Sequence, residues 1–589
     1  MAVESAQAQR RQRSRVAELE RLLAELAREG GPFSSGYNAR LDRQEAYPAE
    51  AFRILDEFGM ASNYVPTRLG GRLDSVPELI QLFRVVSRHD LSVIVAYGKT
   101  ILGAAPTWVA GRPDQARWLA GEVLSSTMVT WALTERHHGA DLLSGELTAT
   151  RSADGWRLDG TKWLINNGTR APLVCLLART SAEGGSRGFS LFLVDKRELP
   201  PSAYSHLPKE RTHGVRGVDI SGMTFHGAHI PPGALIGDVG AGIEIVLKTM
   251  QLTRIVAVSL SLGAADHALR LAGSFLRRRR LYGRGLAELP AVRTTLGEVA
   301  ASALLSEVVA MVAARGVHTI STEMSVITSI TKALVPTLGD ELLRQVGELL
   351  GARGVLLDVF ADGAFEKLSR DHRIVAIFDG STVVNRNALI NQFPLLARAY
   401  HSGRWDSAGV AGAASLTGPL PDLDLSALTL LSRTGCSMVQ SVPDAVAQIG
   451  RQTARGKLPA YVARQAADFA RTVDAVLAEV TSYVPSSREV PDSAFTLAAR
   501  YELCFAGAAC MRVWLHSEQA AVAGGTAGAL WRDGTWLSAC LARVLTLLGA
   551  APEGAGDHAY DRLADVVLAV PEDHVLSLVP DDFCLGSRA

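Results

Sequence analysis

The spacing of apolar positions changes twice along the chain, and those changes outline its architecture. Val16, Leu19, Leu22, Leu23 and Leu26 recur every three or four positions, which predicts an amphipathic helix over 16–28 closed by Gly30-Gly31. The same period predicts helices over 48–58, ending at Gly59, over 76–89, and through "DLSVIVAYGKTILGAAPTWVA" to a break at Gly111-Arg112-Pro113. From about residue 128 the pattern shortens. "TMVTWALTE", "GELTATRSADGWRLDGTKWLI", "LVCLLART" and "GFSLFLVD" are brief, rich in Val, Thr, Trp, Phe and Leu, and parted by Asp-Gly, Gly-Gly and Gly-Thr turns. They predict an antiparallel barrel or sandwich reaching about Gly237.

From Gly242 the helical period returns, first in a proline-free stretch of nearly forty residues that ends in "RRRRLYG", a basic turn suited to a helix C-terminus. Further helices are predicted over 290–316, 321–350 and 382–398. The small residues of "HSGRWDSAGVAGAASLTGPL" predict a linker, and 442–484, 494–524 and 530–548 are again helix-like. The reading is mainly α with a central antiparallel β domain. Its expected parts are an N-terminal all-helical domain (1–127), a β-barrel or sandwich (128–240), a helical bundle (241–400), a linker (401–420) and a C-terminal helical extension (421–589).

Length and charge narrow the function. A chain of 589 residues exceeds one hydrophobic core. Sixty basic residues against sixty acidic ones leave no overall charge footprint for nucleic acid or an anionic membrane. With no signal-peptide-like start and no long uncharged apolar run, a cytoplasmic protein without a membrane span is expected. Cys175, Cys436, Cys504, Cys510, Cys540 and Cys584 form no Cys-x-x-Cys pair and are expected as free, buried thiols. His137-His138 lacks further ligands at metal spacing, so no metal is expected.

Four motifs carry chemistry: "WALTERHHGADL" (131–142), "LDGTKWLINNG" (158–168), the pair Arg254 and Arg279 twenty-five residues apart with Tyr282-Gly283 following, and "ELLGARG" leading to "RDHRIVAIFDGST". Alone, the Asp-Gly of "IFDGST" reads as a turn. In this order, over about 47–393, the motifs resemble the acyl-CoA dehydrogenase family, in a long form with a C-terminal extension. The resemblance implies FAD, with Trp131, Leu133, Thr134, Gly139 and Ala140 lining the flavin and Leu164 and Asn166 beside its ring. Arg279, Tyr282, Gly351 and Ser381 are further implied cofactor contacts. Several positions depart from the family pattern: Ala140 replaces a serine, Leu164 an aromatic residue and Gln251 an acid, while Glu348 and Ala352 stand in a Gln-x-x-Gly-Gly element.

In that family a glutamate eight residues after the Arg-Asp pair removes the proton alpha to a thioester carbonyl. Here that register holds Asp379, which the resemblance makes the catalytic base, oriented by Arg254. Its side chain is one methylene shorter, roughly 1.5 Å at full extension. The implied activity is alpha,beta-dehydrogenation or oxidation of an acyl thioester on coenzyme A or a carrier protein. The implied acceptor is an electron-transfer flavoprotein or oxygen, and the implied assembly is a homodimer. A flavin monooxygenase on the same scaffold and a flavin-poor binding or assembly protein are the alternatives.

Overall fold

The computed structural model describes residues 14–580 except 487–488, 518–524, 552–553, 555 and 572–573. Their contacts divide them into two compact units. One, the β unit, holds 29–74 and 90–253. The other, the helical unit, holds residues up to Arg28, 75–89 and 254 onward. Five of the six cysteines are free and buried; Cys584 lies outside the described residues.

In the β unit, helices Ala49–Phe58, Leu91–Tyr97, Lys99–Ala110 and Pro113–Leu124 accompany one eight-stranded sheet. Its strands are β1 (Val129–Ala132), β2 (Thr148–Ser152), β3 (Gly155–Asn166), β4 (Leu173–Arg179), β5 (Phe189–Asp195), β6 (Tyr204–Leu207), β7 (Ile220–Ile230) and β8 (Leu235–Ile236). The order is β6-β7-β3-β2-β4-β5-β8, with β1 added on β4. The pairings β2–β3, β3–β7, β4–β5, β5–β8 and β6–β7 are antiparallel, as expected, but β1 runs parallel to β4, from Val129↔Leu173 to Ala132↔Leu176. The β2–β3 hairpin lies between β1 and β4 in the chain, so the chain returns to β1 in its original direction; strand composition carries no sign of that reversal. Trp156, Leu158, Leu176, Phe192, Met223 and Phe225 belong to the apolar core of this unit.

The helical unit is built on Gly242–Arg278 (from Arg254), Pro290–Thr319 and Met324–Leu350, the helices the period predicts. Three helical segments, Leu91–Ala110, Gly242–Arg278 and Pro290–Thr319, are long and apolar enough to cross a membrane by length and composition alone. Most of each apolar window is buried within the protein. The helix expected over 382–398 is two helices, Thr382–Ile390 and Phe393–His401, because Pro394 sits in a first turn and cannot donate to a continuing ladder.

The stretch expected as a linker contains the helix Ser407–Ala414, with Gly409, Val410, Ala413 and Ala414 buried. Small side chains there serve close packing rather than flexibility. Arg315, itself buried, donates to the carbonyls of Gly412, Gly418 and Pro419. Nor is the last third separate. At Gly297 a Cβ would stand 2.2 Å from the Tyr560 carbonyl oxygen, so only glycine lets the Pro290–Thr319 helix approach Asp557–Ala569 this closely.

His318 ties three segments of this unit together. Its Nε2 accepts from the Val76 N–H (3.2 Å), which leaves Nδ1 as the protonated nitrogen donating to the Pro421 carbonyl (2.9 Å). Burial lowers its pKa from 6.5 to about 4, outweighing the favourable contact with Pro421. The folded state therefore refuses a proton that the unfolded chain accepts. Stability from this group is present above pH 6.5 and is lost as pH falls towards 4. Between pH 7 and pH 5 the loss is about 2 kcal/mol. Urea unfolding of wild type and His318→Gln at both pH values should show the wild-type advantage shrinking by that amount.

Candidate functional site

The first two motifs are neighbours within the β unit. Thr130 Oγ1 donates to the Asn166 carbonyl (2.5 Å), Thr134 Oγ1 to the Trp163 carbonyl (2.8 Å), and the Trp163 N–H to the Thr134 carbonyl (3.1 Å). The end of β1 and the end of β3 are thereby stitched side by side. A Cβ at Gly103 would stand 2.8 Å from the Val129 and Thr130 carbonyls, so glycine lets the Lys99–Ala110 helix lie close against β1.

At the far end of β3 the register slips between Trp163 and Ile165, and Leu164 takes φ +63°. That conformation is uncommon for a bulky residue, and it turns the Leu164 side chain outward to 46% exposure. Asn166 Nδ2 donates to the Val95 carbonyl (2.7 Å) while its buried Oδ1 has no partner. The buried indole N–H of Trp131 also has none. An unpartnered acceptor at Asn166, two positions from the outward Leu164 side chain, suits a flat, polar-edged group such as a flavin.

The loop between β1 and β2 has a support the sequence reading missed. Buried Lys162 donates to the Leu133 carbonyl (2.9 Å) and to Glu135 (2.8 Å), and Glu135 accepts the backbone N–H groups of Glu146 (2.6 Å) and Leu147 (3.1 Å). Lys162 lowers the carboxyl pKa of Glu135 against the opposing effect of burial. This ion pair fixes the path that carries Leu133, Thr134, Gly139 and Ala140. At Gly139 a Cβ would meet nothing within 4 Å, so the tip of this loop is open.

The other predicted residues belong to the helical unit. Asp379 sits in a series of turns between the helices Ala364–His372 and Thr382–Ile390. It holds φ +57°, and Gly380 after it holds φ +92°, so the carboxylate stands on a reversed backbone that Asp tolerates better than most residues. Arg254, buried in the Gly242–Arg278 helix, reaches the Asp379 carbonyl with Nε at 3.4 Å. Burial lowers the Arg254 pKa and the Asp379 charge opposes that shift. Asn385, fully buried, donates through Nδ2 to the carbonyls of Gly380 and Ser381 (2.9 Å each).

A second missed residue faces the same loop. Lys332, in the middle of Met324–Leu350, is fully buried, and its Nζ donates to the carbonyls of Val375 (2.7 Å) and Gly380 (3.1 Å). One lysine in the apolar run "SVITSITKALVPTLG" was the available signal.

The remaining predicted contacts are placed as follows. Arg279 and Tyr282 are exposed at a short hairpin of β9 (Arg280–Leu281) and β10 (Arg284–Gly285), where Tyr282 (φ +51°) and Gly283 (φ +78°) make the turn. Gly351 holds φ +58° with open space at its Cα. Ser381 Oγ accepts the Val384 N–H (3.3 Å), capping Thr382–Ile390, and its hydroxyl hydrogen can still donate. Glu348 is exposed and pairs with Arg344. The Arg-Asp pair engages its own helix: Arg370 pairs with Glu366 (2.5 Å) and Asp371 with Lys367 (2.7 Å). Among the described residues no three His, Cys, Asp or Glu side chains are grouped to hold a metal.

A helical set followed along the chain by a β unit and long helices is the architecture of solved acyl-CoA dehydrogenases. Residues 130–228 match the acyl-CoA dehydrogenase middle domain and residues 240–393 the acyl-CoA dehydrogenase C-terminal domain. Over these two stretches the chain resembles the acyl-CoA dehydrogenase family. It is 26% identical over 350 residues to a probable acyl-CoA dehydrogenase of Mycobacterium tuberculosis, covering 59% of this chain and 88% of the relative. To the human mitochondrial short-chain specific acyl-CoA dehydrogenase it is 25% identical over 368 residues, covering 62% and 86%.

Among solved structures, butyryl-CoA dehydrogenase from Megasphaera elsdenii has a TM-score of 0.57 at 20% identity, covering 64% of this chain and 96% of that one. A prolyl acyl carrier protein oxidase has a TM-score of 0.59 at 18% identity, covering 64% and 98%.

Proposed function

We propose that the protein is an FAD-dependent enzyme that removes hydrogen from the alpha and beta carbons of an acyl thioester, carried by coenzyme A or by a carrier protein, with Asp379 as the base. The observation that carries this is the Asp379 turn: a carboxylate in the family's base register, on a backbone held by Arg254, Asn385 and Lys332. In the β unit the family resemblance assigns flavin contacts to Trp131, Leu133, Thr134, Gly139, Ala140, Leu164 and Asn166; in the helical unit it assigns them to Arg279, Tyr282, Gly351 and Ser381. When bound, the flavin supplies the acceptor for the beta hydride.

The chain's own part is to take the alpha proton at the Asp379 carboxylate and to donate from the Asp379 N–H to the thioester carbonyl. Arg254, bonded to the Asp379 carbonyl, holds the backbone that carries the carboxylate. The same reading passes electrons to a transfer flavoprotein or oxygen and takes the protein as a cytoplasmic homodimer.

The test incubates the flavin-loaded protein with saturated acyl thioesters on both carriers and weighs the products. A product lighter by two hydrogens, on either carrier, is the expected result and identifies the carrier. A product heavier by one oxygen, formed only with a separate reductase, would mean a flavin monooxygenase. A protein that takes up no flavin would refute the proposal outright.

A further inference from the structure

We propose that Lys332 is a positioning residue for Asp379, clamping the turn that carries the carboxylate through two backbone carbonyls. The inference rests on Asp379 being the base, and the geometry is independent of any ligand. Lys332 Nζ bonds Val375 and Gly380, which bracket residues 376–379, so one ammonium fixes both ends of the segment containing Asp379. Within that segment Ile377 and Phe378 donate to Ile374 (2.9 and 3.0 Å), and the Thr382 N–H returns to the Ala376 carbonyl (3.1 Å). The Phe378 ring lies 5.4 Å from Nζ, at cation–π distance.

A lysine is almost never fully buried, because its charge is costly to remove from water. Burial pulls the Lys332 pKa down from 10.5 to about 7, with the Asp379 charge opposing that shift and the Arg254 charge adding to it. The site tolerates this cost where Lys332 meets the carbonyls of the base turn. Asn385 holds the Gly380 and Ser381 carbonyls from the other side, so the backbone after Asp379 is gripped twice. A side chain whose length is already one methylene short has no slack to absorb a backbone shift, and displacement of about 1 Å can cost on the order of a hundredfold in rate.

The experiment compares the flavin-loaded wild type with Lys332→Met and Lys332→Arg. Hydrogen–deuterium exchange is read first. In Lys332→Met, amides 376–382 should exchange about tenfold faster, with β5 peptides unchanged; equal exchange in the turn overturns the clamp. Flavin reduction by saturating acyl thioester is read second. Lys332→Met should fall about a hundredfold in maximal rate. Flavin content and apparent thioester affinity should stay within about twofold of wild type, and Lys332→Arg should recover most of the rate.

A maximal rate within about threefold of wild type, or a loss carried by affinity or flavin content instead, overturns a positioning role. If Lys332→Met does not fold, Lys332→Leu takes its place, an apolar side chain with no donor for either carbonyl. An unchanged rate and unchanged exchange in that variant refute the proposal. If the wild type itself is not reduced by any thioester, the functional reading fails, and the exchange result alone still decides the clamp.

Discussion

Replacing Asp379 with Asn lowers the rate of flavin reduction by acyl thioester about 10²- to 10⁴-fold while flavin content is unchanged. An amide keeps the shape of the side chain and its neighbours but cannot accept the alpha proton. The surroundings of Asp379 survive the change because Arg254 and Lys332 are bonded to the backbone of the turn at Asp379, Val375 and Gly380. Asp379→Glu tests the length of the base. It restores the family's usual residue but moves the carboxyl outward by roughly 1.5 Å. In a turn fixed around Asp at φ +57°, that displacement should cost on the order of a hundredfold. Rapid-mixing absorbance measurements on the three proteins read both effects.

Arg84→Met destabilises the protein by about 3–5 kcal/mol. Arg84 is buried in the helical unit, where Nε and Nη2 fork onto the two oxygens of Asp266 (2.7 and 2.8 Å) and Nη1 meets Glu307 (2.5 Å). Glu307 also accepts from Ser577 Oγ (2.5 Å) and the Leu578 N–H (2.8 Å), so the same charge cluster fastens residues near the end of the described chain to two central helices. Both carboxylates are at most 3% exposed. Removing the guanidinium leaves Glu307 buried without its cation and Asp266 with only Arg88, at 3.4 Å, which is why the cost exceeds that of an ordinary pair. Urea unfolding should show a large drop in midpoint. By contrast, Glu57→Gln, which removes an exposed partner of Arg53, should leave the midpoint where it is.

The parts of this fold that follow from local periodicity were legible in the sequence: the helix over 76–89 and the long helices from 242, 290 and 324 stand where the 3.6-residue period put them. The strands from 129 to 195 were equally clear from their turns, while β6, β7 and β8 fell inside the expected β block without a stretch of their own. What periodicity could not show is which elements meet. The parallel pairing of β1 with β4 depends on the route of the chain between them. The close packing of 401–420 and of the extension depends on contacts such as Gly297 with Tyr560.

The site divides in the same way. Residues in recognisable motifs, from Trp131 to Ser381, could be named in advance, and the structure brings Thr130 and Thr134 beside Asn166 and Trp163, and Arg254 beside Asp379. The supports, Lys162 with Glu135 and Lys332 with its two carbonyls, sit in strands and helices whose sequence marks them only as isolated charges in apolar surroundings.

The most direct measurement of the central claim is the absorbance of the flavin-loaded protein mixed with a saturated acyl thioester in the absence of oxygen. The account predicts that the flavin band bleaches with wild type and persists, over the same time, with Asp379→Asn. Bleaching of Asp379→Asn at the wild-type rate, or a wild-type band indifferent to every thioester on either carrier, would contradict it.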